Sequence, residues 1–567
     1  MKLLGKSASP EFWQNTVRNG ECYKAFIADR MIIWKNDCEG KPIPELKYSA
    51  FKLFKVNGNR QIYEDVYFMR RRNMAAACHL ALIYPEEEKY LVYLQDIIFS
   101  VLNEYTWCLP AHNTALERNN NVHIDLFASE TGFALAEIYH MMGERLEPLI
   151  RSRIVTEINR RIFDSYFAGH EGSGNRFWWE KASCTNNWTS VCMGSIGCTT
   201  MLMRPDLFER LKPTFDFCMN NYLSGFGDDG YCLEGVHYWH YGFGFFTVYA
   251  EMVRKFTDGA QDYFKLPKVR AIATFIQKMF LSGRASVSFA DGTPSLEFHL
   301  GLCHFLKSEY GDEVKVYSPE FSYVEDGCSR FSLVTRYASW LCEDYYNNPA
   351  PDNAPAEYYG ADSKWYVKRT ESFGFAAKAG NNDEHHNHND IGSFIFAKGG
   401  RQLHCDLGRG EYTRQYFRNE TRYGIIECRS LGHSVPYIAG CEQRFGKQYC
   451  AKDVVRDDGF FSFDMAGAYA CEGLNSLKRS FTVTDKRVTL TDLFDYVGTG
   501  DITERLVLSV EPTVMGGKIT VGDATVSYDE SICTVSVTSE PTTTKSTCYM
   551  LDFKLKDGVR EFKITIE

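Results

Sequence analysis

Apolar residues recur at three- and four-residue spacing through most of the first 345 positions, as in "NMAAACHLALIYP", "HIDLFASETGFALAEIYHMMGERLEPLIRSRIVTEINRRIFDSYF" and "VRAIATFIQKMFLSG". Such spacing places the apolar side chains on one face of a helix, so residues 1–345 are predicted to be a helical domain. No fixed repeat length is evident, and helical hairpins curving into a toroid follow only from the abundance of helices. Residues 346–362, "YNNPAPDNAPAEYYGAD", have no apolar period and the composition of a linker. Beyond them the period changes to short alternating, β-branched runs such as "SFIFA", "KRSFTVT", "ITERLVLSV", "CTVSVTSE" and "REFKITIE". These predict an antiparallel β-sandwich over 363–567.

Length and charge narrow the field. A chain of 567 residues exceeds one ordinary core, in keeping with the division above. The net charge is −10 and the longest basic run is Arg70 to Arg72, so nucleic acid is not an expected partner, although a local basic cleft for an anionic ligand is compatible with this balance. The first residues, "MKLLGKSASPEFWQNT", lack the apolar core of a secretion signal, and no stretch is apolar for the length of a bilayer. The 19 cysteines show neither framework spacing nor a CxxC pair, which reads as reduced thiols in a cytoplasmic setting, and no membrane is expected as a partner. Tyrosines number 34, enough for both helix packing and sugar stacking.

Candidate chemistry gathers in three places. In "NNDEHHNHNDIGSFIFAKGGRQLHCDLGRGEYT", residues 381–413, Gly399 and Gly400 are a two-residue hairpin signal that would bring Asp406 opposite about Ser393. His388 and Asp406 then offer a nitrogen and an oxygen to a metal ion, with His433 of "RSLGHSVPYIAG" as a third ligand. His386 and His388 point to one side of an extended segment, so either could ligate and one could face a substrate; the alternative is a hydrated polar loop. In the helical region, "CTNNWTSVCMGSIG" carries Asn187 and Trp188, and "GDDGYCLEGVHYWHYGFGFF" carries Glu234, Tyr238 and Tyr241. Were the latter a regular helix, those three residues would share a polar face, or the tyrosines would pack between helices.

Taken in order, "NNW", "EGVHYWHYG", "HNHNDIGSF", "HCDLGRGEY" and "GHSVPY" resemble the heparinase II/III-like polysaccharide lyases, with a texture similar to polysaccharide lyase family 35. The resemblance spans roughly residues 100–440. It implies an α+β multidomain fold, an incomplete (α/α) toroid followed by an antiparallel β-sandwich, with the active site in a cleft between them. The implied reaction is β-elimination at a uronic acid of an anionic polysaccharide or oligosaccharide, leaving a 4,5-unsaturated sugar. By the same resemblance Asn187 neutralises the uronate carboxylate, Tyr238 and His386 share the acid and base roles, and His388, Asp406 and His433 hold a structural divalent ion, zinc or manganese. Elimination consumes no water, so the ion would brace the loop carrying His386 and Arg409. Glu234 would orient its neighbours, with His237 beside the tyrosine. His112 and Asn113 of "WCLPAHN", Trp188, Arg409 and Tyr412 are the implied substrate contacts. A phenol with its ordinary pKa is a poor base, and lowering it by about three units needs about 4 kcal/mol from nearby cations. Glycosaminoglycans (hyaluronan, chondroitin sulfate, heparan sulfate) are expected ahead of alginate, and monomer and homodimer stay open. The rivals are a glycoside hydrolase using Asp228, Asp229 and Glu234, which leaves the β-domain histidines unexplained, and a non-catalytic carbohydrate-binding protein.

Overall fold

The computed structural model describes residues 2–113, 121–170, 177–295, 298–322, 328, 330–351 and 354–567. The chain forms two compact units: residues 1–225, 240–270 and 298–349 make the first, and 226–239, 271–297 and 350–567 the second.

The first unit is helical. Its long helices include Gln61–Ile83, Glu88–Leu102, Leu126–Met142, Asn187–Met203, Phe208–Ser224 and Gly244–Phe256. Asn187–Met203 packs against Leu126–Met142, Phe208–Ser224 and Gly244–Phe256, and it is buried almost throughout because its residues are small or apolar on every side. Gly197 makes one of these contacts possible: a Cβ there would stand 2.6 Å from the Tyr249 ring. Buried charges are paired, Arg71 with Glu104 and Arg336 with Glu137. Among the described residues no helix is long and apolar enough to cross a membrane.

The second unit is built on two antiparallel sheets. The order in one is Lys452–Asp457, Phe460–Asp464, Leu474–Val483, Val488–Tyr496, Glu561–Ile566, Ala524–Tyr528, Lys518–Val521 and Thr513–Met515. In the other it is Cys533–Pro541, Thr547–Leu555, Ile502–Leu508, Arg401–His404, Phe394–Lys398, Gly374–Lys378, Trp365–Arg369 and Ala356–Tyr359, with Tyr437–Ile438 also pairing with Ile502–Leu508. Phe375, Phe394 and Phe396 of the second sheet share one core with Phe461, Phe481 and Leu490 of the first. A buried ion group joins the sheets: Arg479 Nη2 lies 2.9 Å from Glu504, and its Nε 3.0 Å from Asp492.

The hairpin at Gly399 and Gly400 forms as expected, with both glycines at positive φ, +60° and +79°. An irregularity between Phe396 and Ala397 puts His404 opposite Phe396, so the return strand carries one extra residue and the pairing stops before Asp406.

The units depart from a single cut at 345–363. Two segments from the helical stretch, 226–239 and 271–297, belong to the second unit, and the strand Ala356–Tyr359 occupies part of the expected linker. Side-chain caps hold the first of these in place. Asp229 accepts the backbone N–H groups of Asp362 and Ser363 at 3.0 and 2.9 Å, and Asp362 accepts that of Asp228 at 2.6 Å.

Candidate active site

Tyr238 ends a single helical turn, Val236–Tyr238, which runs directly into a π-type turn at Trp239–Phe243. Glu234 precedes this turn, and Gly235 between them has a φ of +100°. The regular helix that would have placed Glu234, Tyr238 and Tyr241 on one face is therefore absent. The wider turn redirects Tyr241, whose hydroxyl donates to Glu130 in the first unit.

The rings of Tyr238 and His386 are stacked at 4.3 Å between centroids. His386 Nε2 lies 3.6 Å from Glu234 Oε2, and the His386 side chain keeps 17% of its surface open. The backbone of His386 is left-handed, φ +58°, a conformation that a non-glycine residue adopts only when its surroundings hold it there.

What holds the two rings is a residue that sequence reasoning missed, Asp291. It lies on the loop after Ala285–Ser286 and is fully buried. Its Oδ2 accepts from His386 Nδ1 and from the Tyr412 hydroxyl at 2.8 Å. Its Oδ1 accepts from the Tyr416 hydroxyl at 2.5 Å, His388 Nε2 at 3.2 Å and Arg422 Nη2 at 3.3 Å. Burial opposes the charge on Asp291, but His386, His388 and Arg422 outweigh it and hold the carboxyl well below the usual carboxylate range. Since the one hydroxyl hydrogen of Tyr412 goes to this carboxylate, its oxygen accepts from Tyr238, 2.7 Å away.

The Asp291 loop rests on the strand and loop that carry Asp406 and Arg409. Gln402 Nε2 donates to Ser286 O and Ser288 Oγ, Ser288 Oγ donates to Asp406 O, and Arg409 N donates to Gly292 O. Gly408 is needed for this approach, since a Cβ there would stand 2.3 Å from Gly292 O. The exposed Arg409 lies with its guanidinium carbon 5.2 Å from the centre of the Tyr412 ring.

Burial first and the Asp291 charge second push the Tyr238 hydroxyl upward, with the Tyr412 hydrogen bond and Arg409 only partial offsets, so the lowering that a phenolic base would need is not supplied. Tyr238 therefore carries its proton at neutral pH, which suits an acid better than a base.

His388, Asp406 and His433 are all buried, and one potential ligand atom from each lies within 4.8 Å of the others. Their surroundings fit a divalent ion. His388 Nδ1 is buried without a hydrogen-bond partner while its Nε2 faces Asp291. His433 Nδ1 points at Asp406, 3.0 Å away, and its Nε2 at the Glu427 carbonyl, 2.9 Å away. Thus each imidazole has its second nitrogen fixed by an oxygen, the usual support of a ligating histidine.

The remaining predicted residues fall in the first unit, except His237, whose ring meets Tyr238 edge-on at 5.8 Å. Asn187 opens the helix Asn187–Met203 and is buried, next to Asn186, whose side chain caps the helix. His112 Nδ1 bonds to Asp125 at 2.8 Å, and its ring meets Trp188 edge-on at 4.9 Å. Trp188 in turn lies 4.7 Å from Trp178, which is half exposed, and Asn113 is buried nearby in sequence.

Tyr416 and Arg422 were also missed. A signal for Asp291 existed in "RASVSFADG", a short alternating run ending in an Asp-Gly turn inside an otherwise helical stretch.

No known family model matches the chain, and no curated protein matches it. Solved structures do. Heparinase III aligns with a TM-score of 0.61 at 12% identity, over 94% of this chain and 79% of that one. A mutant heparan sulfate lyase from Pedobacter heparinus gives 0.57 at 12%, over 100% and 87%. The chondroitin AC lyase of Streptomyces coelicolor, in complex with chondroitin sulphate, gives 0.53 at 10%, over 100% and 82%. At these identities the likeness establishes the architecture: this chain has the fold of glycosaminoglycan lyases, an incomplete (α/α) toroid followed by an antiparallel β-sandwich.

Proposed function

We propose that the chain is a polysaccharide lyase that cleaves uronic-acid-containing glycosaminoglycans, such as hyaluronan, chondroitin sulfate or heparan sulfate, by β-elimination. The observation that carries this reading is the stacked pair of a protonated phenol, Tyr238, and an open imidazole, His386, joined through Asp291. His386 Nε2 takes the C5 proton while Nδ1 stays bonded to Asp291. Tyr238 gives its proton to O4 as the C4–O4 bond breaks and the C4–C5 double bond forms. The amide of Asn187 neutralises the uronate carboxylate, a form of charge stabilisation worth several kcal/mol. Arg409 binds anionic groups of the sugar, with Tyr412 beside it as a further sugar contact, Glu234 and His237 orient the reacting pair, and His112, Asn113 and Trp188 contact further sugar units.

His388, Asp406 and His433 would hold zinc or manganese, since two imidazoles and a carboxylate suit these ions better than calcium. When bound, the ion supplies structural bracing to the loop bearing His386 and Arg409.

The names of the similar structures, heparan sulfate lyase and chondroitin AC lyase, support the substrate class. A hydrolase using Asp228 and Asp229 is disfavoured because Asp229 is spent on three backbone N–H groups, those of Tyr231, Asp362 and Ser363.

The test is incubation with hyaluronan, chondroitin sulfate, heparan sulfate and alginate while following the ultraviolet absorbance of the unsaturated uronate. Absorbance with a glycosaminoglycan supports the proposal, and absorbance with alginate alone moves the substrate to polyuronates. New reducing ends without absorbance mean hydrolysis. Tyr238→Phe, His386→Ala and Asn187→Ala are each expected to lower kcat at least about 100-fold. Near-normal turnover in the first two would sink the mechanism.

A further inference from the structure

We infer that Asp291 is the positioning residue of this site: one buried carboxylate that fixes the imidazole of His386 and the Tyr412–Tyr238 hydroxyl pair relative to each other. The inference rests on the lyase reading for the roles of His386 and Tyr238, but its geometry stands apart from that reading. Five side chains from two stretches of sequence, 386–388 and 412–422, converge on Asp291, and it has no exposed surface. Water therefore cannot replace a lost partner, and each bond is made at low effective dielectric, where charge-assisted bonds are strongest.

The two carboxylate oxygens divide the work. Oδ2 serves the reacting side, His386 and Tyr412. Oδ1 serves the supporting side, Tyr416, Arg422 and His388. Tyr416, Arg422 and His388 set the plane of the carboxylate, and that plane sets where Oδ2 points. With Oδ2 taking the hydrogen on His386 Nδ1, the lone pair of the imidazole is left on Nε2, the nitrogen directed toward Glu234. With the same oxygen taking the Tyr412 hydrogen, the Tyr412 oxygen accepts from the Tyr238 hydroxyl and holds it in place until a substrate oxygen takes its hydrogen. A left-handed His386 backbone is tolerable because this bond offsets its strain.

The bond from His388 Nε2 extends the arrangement to the candidate metal ligands. Asp291 is then at once the outer partner of a ligating histidine and the inner partner of the reacting one. Outer partners of this kind typically cost about 10- to 100-fold in activity or metal affinity when replaced.

The test compares wild type, Asp291→Asn, Tyr416→Phe and His386→Ala in three measurements. In steady-state kinetics, Asp291→Asn should lose about 10- to 100-fold in kcat while KM moves less than about threefold. Adding it to His386→Ala should cost less than it does in the wild type, because the imidazole is already gone and only the Tyr412–Tyr238 pair is left for Asp291 to position. Nitrogen-15 spectra of histidine-labelled protein, with the His386 resonances assigned from the spectrum of His386→Ala, should report a protonated Nδ1 in the wild type and a change of tautomer mixture in Asp291→Asn. Tyr416→Phe, which removes one supporting bond and leaves the carboxylate, should give a smaller loss of kcat in the same direction and serves if Asp291→Asn does not fold. The inference is overturned if His386→Ala is inactive while Asp291→Asn and Tyr416→Phe turn over within twofold of wild type, or if the wild-type proton sits on Nε2. An active His386→Ala would instead overturn the lyase mechanism and leave the tautomer measurement to decide the inference.

Discussion

Glu130 shows how burial alone can make a side chain sensitive to pH. It is buried in the first unit, and burial raises its pKa to about 7, with Arg330 and the Tyr241 hydroxyl as partial offsets. The folded state therefore holds a proton on Glu130 that the unfolded state releases near pH 4.5. Between those two values stability falls as pH rises, so Glu130→Gln should flatten that slope and melt higher than wild type at pH 8, with little difference at pH 4.5. Melting curves at the two pH values check this. Arg479 is the opposite case, a buried cation with two carboxylates and two backbone carbonyls as partners. Arg479→Met should cost about 3–5 kcal/mol in denaturant unfolding, since it strands Asp492 and Glu504 between the sheets. Proximity was legible where a short motif carried it: Tyr238 and His386 stand in recognisable strings and their rings stack, and the His388, Asp406 and His433 triad does converge. Asp291 was not, because its partners lie 95 to 131 positions along the chain and a lone Asp-Gly reads only as a turn.

At the level of elements, the β-strand pattern translated well because period two and paired glycines constrain geometry directly. The hairpin turn offers a clean check. Gly400 has φ +79° and open space where a Cβ would go, so any cost of substitution there is conformational and not steric. Gly400→Asn should be nearly neutral in urea unfolding and Gly400→Val should cost about 1–2 kcal/mol, because Asn tolerates the left-handed region and a β-branched residue does not. The helical pattern was less informative around Tyr238. Periodicity assumes 3.6 residues per turn, and a π-type turn adds a residue, rotating everything after it by about 100° relative to what the spacing implies. Glycine at 235 and the crowded aromatics that follow are the only traces of that departure in the sequence.

For the molecule as a whole, the proposed metal site and the chain path lead to separate expectations. Chelation is expected to lower the melting temperature of wild type, zinc or manganese to restore it, and His388→Ala to respond to neither, as read by calorimetry with metal content measured alongside. The division into a helical and a β part was legible from the change of period near residue 346. Its interleaving was not, because what assigns 226–239 and 271–297 to the second unit is contact with residues made much later, such as Asp362 and Gln402. That path has a consequence for biosynthesis. During translation Asp291 emerges long before Arg422, and at ordinary elongation rates of about 5–20 residues per second the wait is roughly ten seconds. Until His386, 95 positions on, a carboxylate destined for complete burial has none of its donors and must stay hydrated, and the set is complete only with Arg422. A ribosome-arrested chain ending near residue 380 should accordingly be cut by protease within 271–297 and become protected there only once synthesis has passed about residue 430.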